Sequence, residues 1–211
     1  MITFTFDEGL ADTYHVAFPL MRKYGFKGVI FIVTNTFPKR TTTSFRSVEN
    51  WATMTFEQLK NMLNAGWEIG SHSITHRDMR SLSLEDAERE LTESKSKLEE
   101  WGFNPISFAY PYGRGPFKQE LVDSCLRHYK YVRNVTYVNV DNKPHLKGGT
   151  VQAIPVGDYG EQILPNPVDT TGWRIYLIHT VWSRFLFERW LKKLKQINAK
   201  VLTFKEACSL L

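Results

Sequence analysis

With only two cysteines among its 211 residues, the chain has no disulfide framework to staple it. Cys125 and Cys208 are read as buried thiols, and stability has to come from an apolar core. Long apolar runs are missing too. No stretch of 18 apolar residues occurs, which leaves no candidate membrane-spanning helix, while an apolar fraction of 42% suits a globular core. Met1 leads straight into strand-like sequence without a secretory leader, so a cytoplasmic protein is expected. Asn134-Val135-Thr136 then reads as an ordinary polar turn or strand and not as a glycosylation acceptor. Neither sign of charge dominates: 27 Lys and Arg against 22 Asp and Glu give a formal charge of +5. The basic clusters are short, and Lys192-Lys193-Leu194-Lys195 reads as the wet face of a helix, so nucleic acid is not an expected partner. With no internal repeat and no low-complexity linker, residues 1–211 are read as one domain.

What the chain does have is alternation. Short apolar runs and helical patterns take turns along almost the whole length, the mark of repeated βα units and a mainly parallel sheet. Strands are predicted over 1–6, 28–33, 66–70, 106–110, 131–135 and 174–179. Helices are predicted over 12–24, 87–101, 118–128 and 185–197, with others starting at Thr55 and Thr203. Thr55-Phe56-Glu57-Gln58, Ser83-Leu84-Glu85-Asp86 and Thr203-Phe204-Lys205-Glu206 resemble capping boxes, and Gly25, Gly66 and Gly102 are natural helix stops. The stretch 34–53 reads as the longest loop, and 139–171 as irregular.

Two places along this pattern carry chemistry. Asp7-Glu8-Gly9 follows the first apolar run, and His72 and His76 follow the strand between Gly66 and Gly70. Two histidines and one carboxylate suit a hydrolytic divalent ion with one open coordination position, which leaves a second carboxylate to take a proton from water. Neighbouring side chains leave an extended strand on opposite faces, so Asp7 and Glu8 can share a cavity only if the strand ends there and turns, as Gly9 permits. Pro111-Tyr112 and His179 also fall at the C-terminal ends of predicted strands, and in a parallel barrel those ends open on one face.

Thr5-Phe6-Asp7-Glu8, the His72 to His76 pair, Pro111-Tyr112-Gly113, Trp173 and Leu177-Ile178-His179 together resemble, in order, the motifs of the polysaccharide deacetylase family. This is also called the NodB-homology domain or carbohydrate esterase family four. The resemblance implies an α/β fold, a distorted (β/α) barrel of mainly parallel strands. It implies hydrolysis of N-acetyl, or O-acetyl, groups on a carbohydrate, with one divalent metal ion as cofactor: zinc first, cobalt or nickel as alternatives. It makes Asp7 the base, Glu8, His72 and His76 the metal ligands and His179 the general acid. Tyr112 would offer its backbone amide to the oxyanion, while Pro111, Trp173 and Leu177 would line the substrate side, the latter two receiving the acyl methyl.

Two positions differ from the family's usual residues. Glu8 stands where aspartate is usual and is one methylene longer, and Ala109 stands where many members carry an arginine that holds the base. Asp7 is thereby left without an orienting partner. These two positions support one other reading, a catalytically silent carbohydrate-binding relative that has lost the ion; a second, independent of them, is a hydrolase of a non-acetyl amide, such as a formamido sugar lipid or a ureide, on the same scaffold. Trp51 and Trp182 are core or rim, with Trp51 a candidate for sugar stacking. The basic balance leans towards an anionic polymer or a lipid-linked sugar. Oligomeric state is left open.

Overall fold

Odd and even residues of the strands go to different cores. Along β1 (Ile2–Phe6), Ile2, Phe4 and Phe6 join an apolar cluster with the surrounding helices, whereas the Thr3 hydroxyl accepts a hydrogen bond from Trp173 Nε1 at 2.9 Å. The same period of two divides β2 (Val29–Ile32), β3 (Glu68–Ser71), β4 (Ser107–Arg114), β5 (Tyr131–Val135), β6 (Gly149–Pro155) and β7 (Arg174–Ile178). Val29, Phe31, Ala109, Tyr131, Val151, Ala153, Ile175 and Leu177 form one inner cluster. In the computed structural model, which describes residues 1–38, 52–114, 117–136, 141–142, 149–156, 170–181 and 183–210, the seven strands pair in parallel and in chain order, and β7 closes on β1. The inner cluster is therefore the lumen of a barrel.

The helices cover the outside. A π-helical turn at Thr13–Ala17 leads into α1 (Phe18–Lys23), where a single continuous helix is expected from the sequence. Alongside α2 (Phe56–Asn64) and α5 (Arg184–Gln196) they bury the even residues of β1, with the Phe4 and Trp190 rings meeting edge to face at 4.8 Å. α3 (Leu84–Glu100) and α4 (Gln119–His128) cover β4 and β5 through Leu91, Leu121, Phe108 and Val132. Capping boxes form at Thr55 and at Thr203, whereas at Ser83 the serine hydroxyl accepts from the Asp86 amide. The short α6 (Phe204–Cys208) plugs the N-terminal mouth of the barrel: Phe204 packs among Trp173 and Tyr131 at 5.7 and 5.4 Å. No described helix is long and apolar enough to cross a membrane.

Two expectations change. The stretch 139–171, read as irregular, contains β6, whose buried residues Val151, Ala153 and Pro155 alternate with half-exposed ones. Among the thiols Cys125 is buried as expected, but Cys208 is only half-buried, because α6 turns it to the plug's rim where Lys130 Nζ lies at 3.0 Å. The four residues of Lys192-Lys193-Leu194-Lys195 lie on α5 with the lysines exposed and Leu194 buried. Trp51 and Trp182 lie outside the described residues.

Candidate active site

The strand parity that fills the lumen also decides which polar residues reach its C-terminal mouth. After Thr3 and Thr5 the next inward position on β1 is Asp7. On β3 it is His72, after Gly70. On β7 it is His179, after Ile175 and Leu177. Glu8 would face outward if the strand continued. Instead it has φ 63°, followed by Gly9 at 66°. This left-handed step, unusual for a side chain as long as glutamate, swings Glu8 over the mouth beside Asp7. Gly9 cannot be replaced without conflict, since a Cβ there would lie 2.7 Å from Ile32 Cδ1.

Single ligand atoms from Glu8, His72 and His76 all lie within 4.8 Å of one another, and this is the one such group among the described residues. His72 Nδ1 is 2.7 Å from the Ala109 carbonyl oxygen. A carbonyl only accepts, so Nδ1 carries the proton and Nε2 keeps its lone pair, the tautomer a metal ligand needs. Burial pushes the His72 imidazole down to about 4, so it is neutral at pH 7. Glu8 Oε2 and His76 Nε2 are buried with no hydrogen-bond partner among the described residues. Two orphaned polar atoms beside a neutral imidazole are costly unless something cationic binds them, so the side chains present fit a divalent ion.

The loop that carries the histidines is held from α3. The Glu90 carboxylate accepts hydrogen bonds from the Ile74 and Thr75 amides at 2.8 and 3.0 Å and from the Thr75 hydroxyl. Ser73 and His76 adopt φ 69° and 59°, and the Ser73 hydroxyl accepts from the His76 amide. Opposite, Asp12 accepts from the Val181 amide at 2.8 Å and ties the segment after His179 to the segment after Glu8. His179 Nε2 lies 3.5 Å from Glu8 Oε1 and 4.0 Å from Asp7 Oδ2, with about a quarter of its side chain accessible.

Asp7 is buried, and burial would raise its carboxyl. The neighbouring Arg133 guanidinium, with His72 and His179, more than reverses this and holds it below the usual range, so Asp7 is ionised at neutral pH. Arg133 is the residue that sequence reasoning missed. Its Nη2 donates to Asp7 Oδ1 and Oδ2 at 2.6 and 2.5 Å. A charged residue at an inward position of an apolar strand was the available signal.

On β4 a register shift between Ala109 and Arg114 interrupts pairing with β5, and Tyr112 there takes φ 51°. Pro111 is buried, while Tyr112 is 59% exposed and its ring centre lies 5.0 Å from that of His76, at the edge of the mouth.

The sequence model of the polysaccharide deacetylase family matches residues 1–130. The chain belongs to the polysaccharide deacetylase family. YxkH of Bacillus subtilis (strain 168), named as a polysaccharide deacetylase, is 30% identical over 114 residues, covering 54% of this chain and 37% of its own length. The chain thus spans little more than a third of that relative. Among solved structures, the Streptococcus pyogenes deacetylase PplD in complex with acetate is 25% identical, with a TM-score of 0.62 over 78% of this chain and 65% of PplD. A family 4 acetyl xylan esterase of Clostridium thermocellum, in complex with a cobalt ion, shares the fold at 18% identity and a TM-score of 0.65, covering 99% of this chain and 90% of its own. The closed parallel barrel is the fold of this family.

Leu177 and His179 come up to the mouth of the family barrel, but Trp173 does not. It precedes β7 by one residue, pairs through Nε1 with Thr3 and packs on Phe204 of the plug. Six strand residues at roughly 3.3 Å each put it about 20 Å from His179. The expectation that Trp173 lines the acyl pocket is corrected accordingly: it is a core residue of the opposite end. Trp173→Phe keeps an aromatic ring but deletes the hydrogen bond and leaves a cavity where the larger, fully buried indole packed on Phe204 and Tyr131. It should cost more stability in denaturant unfolding than the ~1 kcal/mol of the hydrogen bond alone, about 2–4 kcal/mol in all, and change kcat/KM of the proposed reaction less than about twofold.

Proposed function

We propose that this chain is a metal-dependent carbohydrate deacetylase that hydrolyses N-acetyl groups of a glycan. The observation that carries this is the pairing of a fitted ligand trio, Glu8, His72 and His76, with a separate ionised carboxylate, Asp7, and an accessible imidazole, His179, at one barrel mouth. A divalent cation held by the trio, zinc before cobalt or nickel, would supply Lewis acidity to the acyl carbonyl and acidify water.

The remaining work falls to the chain itself. Asp7 takes the proton of the attacking water. The Tyr112 amide, set at the β4 irregularity, donates to the oxyanion. His179 gives a proton to the departing sugar amine, which cannot leave as an anion. Pro111 and Leu177 shape the wall facing the acyl group. N-acetylated glycan is the proposed partner, and the net charge of +5 would steer an anionic polymer or a lipid-linked sugar to the chain ahead of a neutral one.

The test is metal content by mass spectrometry before and after chelator dialysis, with acetate and formate release measured on N-acetylglucosamine oligomers and formamido sugars. We expect near one equivalent of zinc, cobalt or nickel. Acetate release should vanish on chelation and return on reloading. A folded protein that binds no metal, or that binds it and releases no acetate, overturns the proposal in favour of a silent carbohydrate-binding relative; formate release alone moves it to the non-acetyl amides.

A further inference from the structure

Asp7 lies at an inward position just past the end of β1, where nothing on its own strand fixes its carboxylate. Ala109, where the family resemblance anticipates an arginine, offers only a methyl group. In the barrel, however, Ala109 and Arg133 are direct partners on β4 and β5, and adjacent strands lie about 4.8 Å apart. Their side chains start from the same layer of the lumen, so a guanidinium launched from either strand meets the same carboxylate. The alanine leaves the space that Arg133 fills. Arg133 itself is fully buried, with its guanidinium carbon 5.3 Å from the centre of the Phe31 ring.

A structural arginine in a core spreads its five donors over several acceptors. Arg133 does not: Nη2 donates to both Asp7 oxygens, while Nε and Nη1 have no partner among the described residues. We propose that Arg133 is the positioning residue for the Asp7 carboxylate, acting from β5 in place of a side chain at Ala109. This rests on the reading of Asp7 as the base. Without the guanidinium, Asp7 is free to turn towards His72 or His179, whose Nε2 atoms lie 3.6 and 4.0 Å from Oδ2. A misdirected base of this kind costs on the order of 10²-fold in turnover.

The experiment compares Arg133→Ala, Arg133→Lys and the relocation variant Ala109→Arg/Arg133→Ala, each first shown to be folded and to carry the wild-type metal equivalent. We expect kcat to fall about 100-fold in Arg133→Ala with KM within about threefold, and to recover at least tenfold with millimolar guanidinium ion or in the relocation variant. Arg133→Lys, which keeps charge but not the fork, should stay low. Full turnover in folded Arg133→Ala overturns the proposal, as does a loss that neither guanidinium nor relocation repairs. Crystal structures of Arg133→Lys and Arg133→Ala give a reading independent of turnover: the Asp7 carboxylate turned away supports the role, and an unmoved carboxylate refutes it. If the wild-type protein releases no acetate, the deacetylase reading fails while this structural comparison still decides the role of Arg133.

Discussion

Asp7→Asn is expected to lower acetate release by about 10³-fold or more while the metal equivalent stays as in the wild type. The two outcomes separate because the proposed base and the proposed ligands are different side chains. Asp7 is bonded to Arg133, whereas the orphaned atoms that call for a cation belong to Glu8 and His76. Asparagine keeps the shape and one acceptor oxygen for Arg133 Nη2 but cannot take a proton from water. The buried guanidinium then loses its counter-charge, and breaking a buried pair typically costs about 3–5 kcal/mol, so a lower melting temperature is expected as well. Single-turnover acetate release on metal-loaded protein, with metal counted in the same sample, is the check. Turnover within tenfold of wild type would remove Asp7 from the role of base.

How much of this was legible in the sequence depends on how far each feature relies on neighbours along the chain. Apolar alternation and helix caps are local, and they located β1, β2, β3, β4, β5 and β7 and the main helices. β6 escaped because its outer face is half-exposed and two of its three inner residues, Ala153 and Pro155, are poor strand formers, which leaves Val151 as the lone strong inner signal between irregular flanks. Asp7, Glu8, His72, His76 and His179 could be gathered on one face because each follows a strand end. What brings Glu8 in is a left-handed step at Glu8 itself, one residue earlier than a turn at Gly9 would place it.

The contacts that hold the site were not legible. Arg133 meets Asp7 across 126 residues of sequence, and Glu90 meets the histidine loop across 15 or 16. Both pairings are set by strand register and helix docking, which the residue pattern specifies only once the barrel is closed. Trp173 shows the reverse error. The family resemblance placed it at the site with Leu177, but the rise along β7 carries it to the plug, where ring packing with Phe204 occupies it.

Glu8 offers the second large effect. Glu8→Ala should reduce retained metal after desalting to less than about a tenth of an equivalent, a loss beyond the ~10–100-fold that removing a mere outer partner of a ligand costs, and acetate release should fall with it. His72 and His76 alone are a two-nitrogen site with no negative charge, too few ligands to compete with water for a divalent ion. Glu8→Gln keeps the arm and removes the charge, so it should lose affinity without losing the fold.

Glu8→Asp separates reach from charge. Aspartate tolerates φ near 63° at least as well as glutamate does, so the backbone should not object. The carboxylate, however, retreats by one methylene from a trio whose atoms are spaced for the longer arm. Weaker metal retention in Glu8→Asp than in wild type, measured by titration with a competing chelator, would show that this barrel is built around glutamate. Equal or tighter retention would mean that the loop carrying His72 and His76 closes the gap, in which case the Glu90 anchor on Ile74 and Thr75 is less rigid than its three hydrogen bonds imply.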